Sequence, residues 1–164
     1  MLNFRLIFAS FTILLLASTN PGMADEAGID KHAGYYYPSP EVSSEYLSRG
    51  APIPEVGRTG RIAFIVGFAT GEEKLGYERP WDIFVKGSEA EKLIIVAKED
   101  GRLNTVYRVR ALLAHLTSRA RKTPVLVGAQ VQDYFTFLDY LGMLGFKRIT
   151  VSDGATFTYQ IDIK

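Results

Sequence analysis

Two histidines and no cysteine limit the chemistry open to this chain of 164 residues. His115 falls in a stretch of helical periodicity, off its apolar stripe and one turn before Arg119, where an exposed side chain is expected. His32 follows Asp30 by two residues, a spacing that supplies two metal ligands. No His-Glu-x-x-His and no cysteine completes a tetrahedral site, so no metal is expected. No Gly-x-Ser-x-Gly elbow is present, and Ser152-Asp153-Gly154 suits a turn between strands better than a nucleophile. No catalytic residue is therefore assigned. One phosphate-binding candidate stands out, the run VGFATGEEKLG, in which Gly67 and Gly71 follow an expected strand and Lys74 comes soon after. Its spacing is neither that of the P-loop nor Gly-x-Gly-x-x-Gly, and a strand leaving a sheet through a glycine-containing loop is the commoner origin of such a run.

Aromatic residues offer binding rather than catalysis. Tyr35, Tyr36 and Tyr37 stand in a row between Gly34 and Pro38, with His32 just before them and Trp81 further on. Amphipathic rings give large contact area with a polar tip, so these five residues are the binding candidates. Trp81, Tyr77 and the tyrosine row could line the cleft of a small-ligand carrier. Equally, the row could be an arm packed against the body of the protein or in a groove of a second subunit. Arg108, Arg110, Arg119, Arg121 and Lys122 fall in one helical stretch without an acid between them. Helical geometry splits them between two flanks of the apolar stripe, as snorkelling side chains would be.

The first 24 residues have the layout of a secretory signal. Arg5 gives the positive start, an uncharged run of 12 residues from Leu6 to Ala17 the apolar centre, and Pro21 to Ala24 the exit. The run is shorter than the ~20 residues a spanning helix needs, so cleavage after Ala24 and a periplasmic or secreted product without a stable membrane anchor are expected. Without cysteine there is neither a lipid attachment point nor a disulfide. The remaining chain balances 18 basic against 18 acidic residues, which gives no general attraction to nucleic acid.

These residues need elements to position them. Residues 25–60 are rich in Pro, Gly and Ser and suggest an extended arm with one short helix, capped by Ser39, opened by Pro40 and closed before Gly50. From residue 61 to 164 a single domain is expected. Its first element, RIAFIVGFAT, reads as a central strand whose small face of Ala63, Gly67 and Ala69 would receive the tyrosine arm. WDIFVKG and KLIIVAKE suggest a hairpin, and Asp100-Gly101 a turn. Val106, Val109, Leu113, Leu116 and Ala120 mark a helix capped by Asn104 or Thr105. After Pro124, VLV suggests a short strand, and a second helix from about Val131 to Leu144 would bury Tyr134 and end at Gly145. KRITVS, Asp153-Gly154 and the alternating Phe157–Ile163 run form a C-terminal hairpin. The fold expected is α+β, a mainly antiparallel sheet with two packed helices. The alternative is a three-layer α/β arrangement joining LIIVA, PVLV and RITVS by crossovers.

At DKHAGYYYP, KGSEAEKLIIVAKEDGRLNTVYRVRALLAHLT and LGFKRITVSDG the chain resembles a family of short exported bacterial proteins, often labelled molybdopterin-guanine dinucleotide biosynthesis protein A. The resemblance spans Asp30 to about Ile163. The label implies a nucleotidyltransferase that joins GMP from GTP to molybdopterin with magnesium, on a Rossmann-like fold opening with a glycine-rich loop. Gly67, Gly71 and Lys74 are the nearest counterpart of that loop, without its paired glycines and arginine, so no catalytic residue is carried over. The expected function is that of an exported, non-catalytic binding or assembly module with an envelope protein or a second copy of itself as partner. The alternatives are the nucleotidyltransferase, with GTP and magnesium, and the small-ligand carrier.

Overall fold

The computed structural model describes residues 40–73 and 79–164. The expected signal segment, His32, the three tyrosines, Lys74 and Tyr77 lie outside them. The elements are β1 (Val42–Tyr46), α1 (Arg58–Glu73), β2 (Trp81–Lys86), β3 (Lys92–Ala97), α2 (Val106–Ala120), α3 (Pro124–Gly128), α4 (Phe137–Met143), β4 (Arg148–Ser152) and β5 (Thr158–Ile163).

The fold is α+β: one five-stranded mixed sheet, in the order β1-β5-β4-β3-β2, with four helices. Both expected hairpins form. Trp81 pairs with Ala97 and Lys86 with Lys92 in the first, and Ile149 pairs with Ile161 and Val151 with Tyr159 in the second. Two parallel pairings complete the sheet, β3 with β4 and β1 with β5. The first is a crossover through α2, α3 and α4, which the three-layer alternative anticipated in part. Here, however, the layers are two. Every helix delivers its buried side chains to one cluster, Ile65 from α1, Val109 and Leu116 from α2, Leu126 from α3, Phe137 and Leu141 from α4. That cluster rests on Leu93, Ile95, Ile149, Val151 and Ile161, which share one face of the sheet.

Three expectations are corrected. RIAFIVGFAT is helical: Arg61 and Ile65 are buried, and Phe64 and Phe68 pack between Tyr140, Trp81 and Phe137, contacts at three- and four-residue spacing. A run apolar on both faces fits either period, and its length favours a helix. Residues 42–46 are a strand, because alternate side chains turn inward and the backbone pairs with β5, which outweighs the capping signals at Ser39 and Pro40. PVLV is the helix α3, with Thr123 before it and Pro124 in its first turn, where a missing N–H costs nothing. The second long helix is also shorter than expected. It opens at Thr136, whose hydroxyl accepts from the Asp139 N–H while Asp139 accepts from the Thr136 N–H, and Tyr134 is left exposed.

Two buried ionic groups fix the helical layer. Arg61 donates from Nε to the Glu89 carbonyl at 2.8 Å and from Nη1 to the Val56 and Leu144 carbonyls at 3.0 and 3.3 Å, joining α1, the β2–β3 turn and the end of α4. Gly145 follows with φ +80, a left-handed close that places Phe146 in the core. Asp139 is fully buried and accepts from the Arg49 N–H and guanidinium, the Tyr46 hydroxyl, and the Thr136 N–H and hydroxyl. It anchors the strand β1 and the residues after it to α4. Burial pushes its carboxyl up, but the Arg49 guanidinium and the Thr136 and Arg49 N–H groups outweigh this and hold it well below the usual carboxylate range. A carboxyl lowered on folding stabilises the native state above its unfolded pKa of about 4, and that contribution is lost as pH falls toward the folded value. D139A should therefore cost ~2–4 kcal/mol in urea unfolding at pH 7. The gap between parent and variant should narrow at pH 3; an equal gap at both pH values contradicts this assignment.

Candidate functional site

Where β3 ends, the chain leaves the sheet through a turn. Gly101 takes φ +73 and the Arg102 N–H returns to the Glu99 carbonyl, as the Asp100-Gly101 pair suggested. It then enters α2 through Thr105, whose hydroxyl accepts from the Arg108 N–H. This turn, the first two turns of α2 and the residues before β2 enclose a cleft of about 830 Å³. Such a place, outside the carboxyl end of a strand that continues into a helix, is where open sheets tend to bind ligands.

The cleft is lined by Arg79, Arg102, Arg108 and His115 together with Glu99 and Asp100, and by the apolar side chains of Trp81 and Leu112. Arg102 is occupied by Glu99, Nε to Oε2 at 2.9 Å. Arg79 lies over the Trp81 ring, 5.1 Å from its centroid, and 3.9 Å from Asp82. Arg108 instead donates to the neutral Asn104 side chain at 2.9 Å. It occupies the third position of α2, whose first turn contains no acid. Helix N-termini carry partial positive charge and unpaired N–H groups, so a cation there is disfavoured by ~0.3–1 kcal/mol. A glutamate at this position would complete a capping box with Thr105. The arginine gives up that stability and places a guanidinium at the cleft.

Of the five residues singled out for binding, Trp81 lines this cleft, and it is largely a core residue. His115 is exposed, as expected, and lines the cleft as well. Gly67 and Gly71 lie within α1, where a side chain added at either would meet nothing within 4 Å. Their peptide groups belong to a helix rather than a loop and so form no phosphate cradle. Ala63 and Gly67 are exposed on that helix, and the strand face proposed for the arm does not exist. Arg121 donates to the Asp133 and Phe135 carbonyls and fastens the segment before α4. His32 and Tyr35, Tyr36 and Tyr37 lie outside the described residues. Among the described residues no group of three or more His, Asp or Glu is placed to hold a metal ion. The sequence signal for the cleft was the Thr105-Val-Tyr-Arg108 order, a cap followed by a cation where an acid is usual.

No protein-family model, curated protein sequence or solved structure matches the chain. The cleft is thus judged on its own chemistry. In the ligand-free protein, R108E should raise stability by ~0.5–1 kcal/mol in urea unfolding, by completing the capping box and complementing the helix dipole. A destabilised R108E would show that Arg108 holds the turn together rather than being spared for a ligand.

Proposed function

We propose that the protein is an exported, non-catalytic binding module that takes a small anionic ligand, with a carboxylate or phosphate group, in the cleft at the start of α2. The observation that carries this reading is Arg108, a cation in the first turn of a helix whose N-terminus is already positive, bonded among the described residues to a neutral amide. Anions are favoured at such a place by the N–H groups and the dipole together. The guanidinium supplies a fork of donors matched to carboxylate and phosphate. Arg79, His115 and Trp81 also line the cleft, so a ligand there meets basic and aromatic side chains. Export rests on the signal-like first 24 residues.

The test is calorimetric titration of the protein with inorganic phosphate, citrate and GTP with magnesium, in parent and R108E. At least one of the three should bind the parent. Its affinity should fall at least about tenfold in R108E and weaken with added salt, since one removed charge contact of ~1.4 kcal/mol corresponds to a factor of ten. Absence of binding by all three overturns the reading. Release of pyrophosphate from GTP in the presence of molybdopterin would replace it with the nucleotidyltransferase.

A further inference from the structure

We propose that the segment from Asp30 to Pro38 lies across the face of the sheet opposite the four described helices, with its tyrosine row laid along Phe84, Ile94 and Val96. The strand registers align this face in rows. One runs Ser43, Gln160, Thr150, Ile94, Phe84, and the next Thr158, Ser152, Val96, Asp82. Ile94 points away from Leu93 and Ile95 and is no part of the core cluster beneath the helices. All four helices bury their side chains on the opposite side. Nevertheless Ile94, Thr150 and Thr158 are 2%, 1% and 0% exposed, as deep as the core. A sheet face open to water leaves its central side chains partly wet, so a cover is needed here.

The chain before β1 fits as that cover in reach, chemistry and charge. Glu41 bonds to the Thr158 carbonyl at the edge of the face, and β1 is three strand spacings, ~14 Å, from β3. The five residues from Tyr35 to Ser39 span ~16 Å when extended, the conformation that Pro38 and Pro40 favour in the residues before them. The stripe to be covered is apolar at Phe84, Ile94 and Val96 and hydroxyl-bearing at Thr150, Ser152 and Thr158. Tyrosine rings with polar tips suit both parts. The adjoining row sets Lys86 directly opposite Lys92, followed by Arg148 and Asp162, which are bonded to each other at 2.7 Å. Like charges so placed repel, and Asp25, Glu26 and Asp30, ahead of the tyrosines, bring the opposite sign.

Because the chain has no native cysteine, introduced thiols report directly. In the full chain, Y36C with V96C should form an intramolecular disulfide under mild oxidation at least about tenfold faster than Y36C with V66C, whose second thiol lies on the exposed side of α1. With V96C alone, maleimide labelling should be slow and should accelerate at least about tenfold when Y35S, Y36S and Y37S are added, at every protein concentration. Equal disulfide rates overturn the proposal. So does slow labelling that survives the serine variants, which assigns the cover to another partner. Protection that grows with protein concentration assigns it to a second copy and overturns the proposal as well.

Discussion

All four helices sit on one face of a five-stranded sheet, and this one-sidedness organises the rest of the molecule. A sheet covered on one side carries two different faces. The inner one is filled by aliphatic side chains of β3, β4 and β5 against the aromatic rings of α1 and α4. The other carries no helix among the described residues, though it bears isoleucine, valine and phenylalanine. The arrangement also fixes where the chain leaves the sheet. β3 and β4 are parallel neighbours, so the chain must cross back over the helical face between them, and the turn opening that crossover forms the cleft. The layer is held by buried ionic groups as well as by area. Arg61 and Asp139 each satisfy backbone or side-chain partners from several segments, and removal of either leaves those partners unpaired.

Local helix stability is not maximised at the start of α2. The residue best suited to the third helical position is acidic, and the chain places arginine there, bonded to a neutral amide. Elsewhere the same chain follows the local rule. α4 has its acid at the third position, and Asp139 completes the box with Thr136. Two helices of one protein thus differ at equivalent positions, and the one that breaks the rule faces the cleft. Local conflicts of this kind are expected where a site needs them.

The sequence was legible where a turn or cap had its own chemistry. Both hairpins, the turn at Gly101, the helix from Val106 to Ala120 and the left-handed close at Gly145 follow from local signals that tertiary structure did not oppose. It was misleading where periodicity was ambiguous. Ile62, Phe64, Val66 and Phe68 alternate as a strand does, yet Arg61, Ile65 and Phe68 also share a helical face, and packing against Tyr140 and Trp81 chose the second. At β1, pairing with a strand more than a hundred residues away outweighed the local capping pattern. The cleft was hidden because its arginines come from three separate segments. Arg108 was legible only as one flank of a basic helix, and Arg79 carried no pattern at all.

Amide shifts in a ¹⁵N-labelled sample test the proposed anion site at the start of α2 residue by residue. During titration with inorganic phosphate, the N–H signals from Gly101 to Arg108 should move first and together, saturating with one affinity. Signals of β1 and β5 should stay in place. Movement spread evenly over exposed lysines and arginines, without saturation between Gly101 and Arg108, would contradict the account.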